Sequence, residues 1–278
     1  MNNSTVNFTA PEASTNSTTQ SFELIDSLEI CGYTICLLFG LPTHSYIIWL
    51  IVTGTGSGVA SEFFTLNLSV CEIGNCLNVL IRGLSFYFFS LSTLRAFLLG
   101  LVITGRPLCQ CLMCVERYVA VVHPVTFLKY KPLRYRLICC TAAWILILGC
   151  CFVCLFVLDN LEHTLFFSLQ FLLLSSVQLF CLVAVLRALK QSGPGERGTE
   201  QKEGNHMKRR AFYLILITTV SMTIMYVPYI VAGVVTILKH HVISALWSIC
   251  LICYVLAGFV QPILYLHRAG KLSLSLKI

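Results

Sequence analysis

Two residues of opposite charge, Glu72 and Arg106, lie deep within long apolar stretches of the sequence. An isolated charge is costly in a hydrocarbon environment, so such residues pair with a partner or take part in function. One interpretation is a purely structural ion pair, which would add little net stability. The other is a functional polar centre inside the molecule.

Cysteine is the other abundant reactive residue type, with 15 copies. The spacing of Cys109, Cys111 and Cys114 is similar to that of a metal site, but on a helix these residues do not share one face and no histidine is near. Most other cysteines lie in apolar stretches, where cysteine packs as a small apolar residue. We expect no metal site and no cofactor. We also expect no enzymatic activity, because catalytic residue types do not cluster.

The composition indicates which solvent the chain is built for. Of its 278 residues, 57% are hydrophobic and 11% are charged, with a mean hydropathy of +0.82. Soluble domains carry about 25% charged residues, so a lipid bilayer must surround this chain. The net charge of +7 does not indicate nucleic-acid binding, because the basic residues lie in links beside apolar stretches.

Seven apolar stretches are each long enough to cross a membrane as a helix. The sequence therefore predicts an all-α membrane protein, a seven-transmembrane-helix bundle. We predict an amino-terminal tail over 1–27, the bundle over 28–266 and a short carboxyl-terminal tail over 267–278. The predicted spans are approximately 28–53, 62–88, 91–122, 135–158, 164–190, 210–238 and 242–266.

Charge asymmetry predicts the orientation of the bundle. Basic residues concentrate in the links at 123–134 and 191–209 and in the tail, whereas Lys239 alone is basic in the opposite set of links. The positive-inside rule then predicts a multi-pass plasma-membrane protein with an extracellular amino terminus. The sequons at Asn3, Asn7 and Asn16 would be glycosylated on that side.

The third predicted span ends in the string Glu116-Arg117-Tyr118, followed five residues later by His123-Pro124. A charged pair at the end of an apolar helix could simply reach the water interface. The whole string, however, resembles the (D/E)RY motif of rhodopsin-like G-protein-coupled receptors. The resemblance implies that Glu116 holds Arg117 at rest and that Arg117 reaches toward a heterotrimeric G protein when the receptor is active.

Further strings in later spans resemble the same family. Tyr226 and Pro228 match its sixth helix, where a proline permits bending. Gln261, Pro262 and Tyr265 resemble its Asn-Pro-x-x-Tyr string, with Gln in place of Asn. The run from Gly40 to His44 resembles a first-helix string of purinergic- and protease-activated-type receptors. These receptors form a group with the hydroxycarboxylic-acid receptors.

Departures from the family pattern lead to two further expectations. The cysteine that usually ties the third helix to the second extracellular loop is replaced by Ser92, so the extracellular mouth is expected to lack that disulfide. The resemblance also implies that Glu72 and Arg106 face each other where related receptors bind sodium. We expect Arg106 to replace the ion, with His44 and Gln261 nearby.

The ligand is predicted only by class. The resemblance puts Arg82 and Arg95 at the border of the ligand cavity, where arginine can capture a carboxylate or phosphate of an anionic metabolite or lipid. The alternative is that both reach the outer headgroups. The outer histidines His163, His240 and His241 could sense protons, but loop histidines are usually only solvated.

The sequence therefore favours a G-protein-coupled receptor that converts extracellular ligand binding into activation of a heterotrimeric G protein. The basic run at 206–210 cannot form the acidic lock that some relatives have, so we expect basal signalling. The alternative function is a non-signalling, scaffold or decoy heptahelical protein derived from a receptor. A transporter, channel or enzyme is not favoured, because the sequence shows no internal repeat and no clustered catalytic residues.

Overall fold

The computed structural model describes residues 27–54, 62–85, 87–130, 133–156, 160–191, 199–239 and 243–268. Within these ranges every regular element is a helix, and seven of the helices are long and apolar enough to cross a membrane. The predicted all-α, seven-span class is confirmed. The sequons at Asn3, Asn7 and Asn16 and the tail after residue 268 lie outside the described residues. The side chains of His163, His240 and His241 also lie outside them.

The seven spans are labelled in chain order, and a short helix, Pro124–Tyr130, lies between the third and fourth. The end of the bundle where α2 stops and α3 starts is the Arg82 end. The opposite end, where α3 stops, is the Arg117 end. The bounds are α1 Ser27–Val52, α2 Phe63–Leu84, α3 Leu91–Val122, α4 Leu133–Phe156, α5 Asn160–Gln191, α6 Thr199–Lys239 and α7 Ser244–Arg268.

Most helix bounds agree with the apolar stretches, and two links are shorter than expected. Residues 160–163 belong to α5 rather than to a link, and α6 begins at Thr199, inside the polar segment expected at 191–209. The hydropathy pattern predicts only the apolar part of a helix, so it misses polar turns at the helix ends. The added first turns of α6 are rich in Glu, Gln and Lys, which form helices well in water.

Helix α3 occupies the centre of the bundle. It packs against α2, α4, α5 and α6, while α1 closes the ring through α2 and α7. Its approach to α4 requires glycine at position 100, because a Cβ there would lie 2.5 Å from the Cα of Cys151. The central position of α3 puts its buried polar residues within reach of several neighbouring helices.

The outer surface of the bundle is apolar. Large side chains such as Leu169 and Leu173 on α5 are 66% and 65% exposed, which suits contact with lipid rather than water. Polar contacts instead join helices inside. Trp144 Nε1 in α4 donates to Asn67 Oδ1 in α2 at 2.9 Å, which joins these two helices.

Candidate functional site

The structure brings Glu72 and Arg106 together as a two-point ion pair between α2 and α3. The Nε of Arg106 donates to Oε1 of Glu72, and its Nη2 donates to Oε2 at 2.6 Å. Both residues are buried, with 5% and 3% of their surface exposed. Asn75, one turn along α2, donates to Oε2 of Glu72 at 3.0 Å. Each carboxylate oxygen therefore has a donor.

The guanidinium of Arg106 also reaches the other side of the bundle. Its Nη1 donates to the backbone carbonyl of Tyr254 in α7 at 2.6 Å and approaches Sδ of Met225 in α6 at 3.2 Å. Its Cζ lies 3.8 Å from the centroid of the Tyr254 ring, a cation–π contact. One arginine side chain thus joins α3 to α2, α6 and α7.

Glycine at position 258 of α7 makes this close approach possible. A Cβ at Gly258 would lie 2.9 Å from Nη2 of Arg106 and 3.7 Å from Oε2 of Glu72. A small cavity between α1, α2, α3 and α7 borders the pair, and His44 lines it. His44 is buried, and its Nδ1 has no hydrogen-bond partner among the described residues.

Gln261 lies outside the lining of this cavity, although we expected it near the pair. Its Nε2 donates to Oγ1 of Thr218 in α6 at 2.8 Å. This bond joins α6 and α7 one to two turns closer to the Arg117 end. Its neighbour Pro262 is buried within α7.

The residues of the Glu-Arg-Tyr string lie where α3 ends. The carboxylate of Glu116 forms an ion pair with Arg136 in α4, and both side chains are largely buried. The hydroxyl of Tyr118 lies 3.2 Å from Nε2 of His123, and its ring meets the ring of Phe180 in α5 edge-on. Glu116 therefore ties α3 to α4, and Tyr118 packs against α5.

Arg117 lines a second cavity, which opens at the Arg117 end between α2, α3, α6 and α7. Glu62, which is buried at the start of α2, lines the same cavity. Tyr265 lines it from α7 and also packs into an apolar cluster with Ile47 and Leu50 of α1. Both polar side chains, such as Glu62 and Arg117, and apolar side chains line this cavity.

The two sixth-helix residues differ in burial, because Tyr226 is buried and Pro228 is half-buried. Tyr226 is buried, and its hydroxyl donates to the backbone carbonyl of Ile103 in α3. Pro228 lies within α6, two residues further along. Because proline has no N–H, the carbonyl four residues earlier loses its helical donor at that point.

Arg82 contacts two side chains of α1. Its Nη2 lies 3.2 Å from Oε2 of Glu29 in α1, with side chains 45% and 26% exposed. Its Cζ lies 5.3 Å from the ring centroid of Tyr33, whose hydroxyl donates to Glu29 at 3.2 Å. Arg95 is exposed at the first turns of α3. The two arginines thus differ, since Arg82 already has a carboxylate partner.

Three contributors to these contacts were not predicted from the sequence. Arg136 lies just inside the fourth predicted span and was not predicted to have a partner, yet it pairs with Glu116. Glu29 is an acidic residue near the start of an apolar span, a signal that could have indicated a partner for Arg82. Tyr254 contributes its backbone carbonyl and ring, which no sequence pattern reveals.

All 15 cysteines are free thiols, and each lies within the described residues. Two pairs are close, with Cys36 and Cys76 Sγ atoms 3.6 Å apart and Cys71 and Cys109 Sγ atoms 3.9 Å apart. Within the part of the chain that the structure describes, no group of three or more metal-ligating side chains could hold an ion.

Comparison with known proteins supports the receptor resemblance. No protein-family model matches the chain. The chain is 22% identical over 250 residues to the uracil nucleotide/cysteinyl leukotriene receptors of Rattus norvegicus and Mus musculus, covering 80% of this chain and 70% of each receptor. Distant homology to a G-protein-coupled receptor and seven apolar helices together support the rhodopsin-like resemblance found in the sequence, and with it a receptor role in a membrane.

Proposed function

We propose that the protein is a G-protein-coupled receptor that converts binding of an extracellular ligand into activation of a heterotrimeric G protein. The observation that carries the proposal is the location of Arg117. It lies in the last two turns of the central helix, which ends at Val122, and lines a cavity at that end of the bundle. A G protein would enter this cavity and contact Arg117. The amino terminus would then be extracellular, as the charge asymmetry predicts.

The ion pair between Glu116 and Arg136 supports a resting arrangement of this site. Arg136 pairs with the Glu116 carboxylate from α4, so this contact joins α3 to α4 at the Arg117 end. The bond from Gln261 to Thr218 keeps α6 and α7 together near the same cavity. Outward movement of α6 would break that bond and widen the cavity.

We also propose that Arg106 takes the place that a sodium ion occupies in related receptors. Its guanidinium neutralises Glu72 and supplies donors to α2 and α7. A cation entering the same space would meet a positive charge. The affinity for an agonist and the melting temperature should therefore not change with the sodium concentration.

For the ligand, we propose an anionic molecule that binds at Arg82 and Arg95. The relatives are named for uracil nucleotides and cysteinyl leukotrienes. A phosphate or carboxylate could displace Glu29 from Arg82 while Arg95 provides a second contact. The glycosylated tail, at Asn3, Asn7 and Asn16, would lie on the same side of the membrane.

The test of receptor function is ligand-free G-protein dissociation in cells across all four Gα classes. Wild type is compared with Arg117→Ala at matched surface expression. Arg187→Ala, which removes an exposed arginine of α5 at the same end, is the control. We expect a basal signal in wild type and in the control that is lost in Arg117→Ala.

One observation favours a second candidate function, a non-signalling heptahelical protein. Arg106 ties α3 to three other helices, and a bundle cross-linked in this way could have lost its ability to open. A well-expressed wild type without basal signal, which also stays silent with Arg106→Ala, would support this second function and contradict receptor signalling.

A further inference from the structure

Pro107 interrupts the hydrogen-bond ladder of α3 at its buried centre. In a regular α-helix the N–H of residue 107 would donate to the carbonyl of Ile103, four residues earlier. Proline has no N–H, so the Ile103 carbonyl loses this donor. Ile103 and Pro107 are both buried, where an unsatisfied carbonyl is costly.

Tyr226 of α6 supplies a donor from outside the helix. Its hydroxyl donates to the Ile103 carbonyl. The ring stacks on Phe171 of α5, with centroids 5.0 Å apart and planes inclined by 17°. Packing therefore sets the position of the ring, and the hydroxyl is the part of the side chain that serves Ile103.

The neighbouring carbonyl provides a natural comparison. Tyr254 of α7 donates through its hydroxyl to the carbonyl of Val102 at 3.2 Å. The residue four positions after Val102 is Arg106, which has a backbone N–H. Val102 therefore has a potential donor within α3 whether or not Tyr254 bonds to it. Ile103 differs because the residue in the equivalent position is Pro107.

We propose that Tyr226 replaces the hydrogen-bond donor that Pro107 removes from α3, and that this bond holds α6 against α3 in the resting bundle. Movement of α6 away from α3 would leave the Ile103 carbonyl unsatisfied. Tyr226 is therefore a positioning residue whose effect depends on a proline in another helix. The part that concerns signalling rests on the receptor function proposed above, while the dependence on Pro107 does not.

A double-mutant cycle tests the dependence on Pro107. Tyr226→Phe keeps the ring and removes the hydroxyl, and Pro107→Ala restores an N–H that can serve Ile103. In the wild-type background Tyr226→Phe should lower the melting temperature of the purified protein in detergent by a few degrees. In the Pro107→Ala background the same change should have almost no effect, because the helix now satisfies its own carbonyl.

Tyr254→Phe provides the matched control cycle. Its effect on the melting temperature should be the same in the wild-type and Pro107→Ala backgrounds, because the donor to Val102 within α3 is present in both. If Pro107→Ala is not recovered from membranes, Pro107→Ser supplies the same N–H and repeats both cycles. Equal destabilisation by Tyr226→Phe with and without the proline would overturn the proposal.

Signalling provides a second and separate readout. Loss of one net hydrogen bond of the closed bundle should raise the open population about fivefold, so Tyr226→Phe should increase ligand-free G-protein dissociation. Tyr226→Phe in the Pro107→Ala background should match Pro107→Ala alone. If no variant gives a signal that depends on Arg117, the proposed receptor function is contradicted. The double-mutant cycle of melting temperatures still tests the role of Tyr226 in that case. A Tyr226→Phe signal equal to wild type, in a protein that does signal, would overturn the restraint on α6.

Discussion

Glu116 at the end of α3 forms an ion pair with Arg136 in the first turn of α4. The acidic residue of the Glu-Arg-Tyr string thus has a basic partner on a neighbouring helix as well as a basic neighbour in sequence. Both side chains are largely buried, so the pair is screened less by salt than a surface pair. The contact fixes the end of α3 relative to α4.

Breaking this pair should raise basal signalling. Arg136→Leu and Glu116→Gln each remove one partner and free the end of α3, so each should increase ligand-free G-protein dissociation. The double variant should add little, because either single change already breaks the same contact. Arg134→Leu is the control, since Arg134 is exposed and lies over the ring of its neighbour Tyr135. Additive effects of Arg136→Leu and Glu116→Gln would contradict the prediction.

The ion pair between Glu72 and Arg106 predicts a compensating double variant. Glu72→Ala alone leaves a buried guanidinium without its carboxylate and should cost about 3–5 kcal/mol of stability. Glu72→Ala with Arg106→Ala should be less destabilised than Glu72→Ala, because no unpaired charge remains. The melting temperatures of the purified single and double variants measure this difference.

Two controls accompany that measurement. Glu72→Ala combined with Arg95→Ala removes a remote, exposed arginine and should show no compensation. Replacing sodium with an organic cation should leave the wild-type melting temperature unchanged, because Arg106 already neutralises Glu72. A melting temperature that rises with sodium would contradict the view that arginine takes the place of the ion.

Gly258 predicts a steric effect on the same pair. Gly258→Ala would bring a Cβ to 2.9 Å from Nη2 of Arg106, and the guanidinium cannot move away without losing its bonds to Glu72 and Tyr254. The variant should therefore unfold at a lower temperature, although alanine favours a helix.

Gly149→Ala is the matched control, because a Cβ there has no neighbour within 4 Å. It should be neutral or slightly stabilising. In the Arg106→Ala background, Gly258→Ala should lose most of its effect. Persistence of the full effect without Arg106 would show that Gly258 is required for another reason.

The contact between Arg82 and Glu29 gives a test of the anionic ligand proposed above. Glu29→Gln releases the Arg82 guanidinium and should strengthen binding of a nucleoside diphosphate such as UDP. The gain should be a few-fold at most, because the ion pair is partly exposed and worth little in water. Thermal-shift titration of purified protein measures it, with Glu162→Gln as an exposed acidic control. Weaker UDP binding by Glu29→Gln would assign Glu29 to the ligand site itself.

Several features of this protein could be predicted from the sequence. The seven spans follow from the length of the apolar stretches, and α3 was predicted at 91–122 and is found at Leu91–Val122. Hydropathy depends on residue type alone, which is why it transfers directly from sequence to fold. The same pattern missed the first turns of α6, because helix formation in water and burial in lipid are different properties.

The contacts of the candidate site depended on the tertiary structure. The cost of isolated charges in a membrane indicated that Glu72 and Arg106 need partners, and packing showed that Arg106 also bonds to α6 and α7. Packing also showed that Gln261 of α7 donates to Thr218 of α6, a contact that the sequence did not predict.

The sequence by itself determined the all-helical membrane fold and the residue types available for pairing, since both depend on composition and spacing along one chain. Only the tertiary structure decided which residues meet. Glu116 forms an ion pair with Arg136, and Arg82 forms one with Glu29. The hydroxyl of Tyr226 donates to the Ile103 carbonyl. A hydrogen bond or ion pair depends on which helix faces meet and how closely their backbones approach. Those distances arise from packing, and small residues such as Gly100 and Gly258 set them.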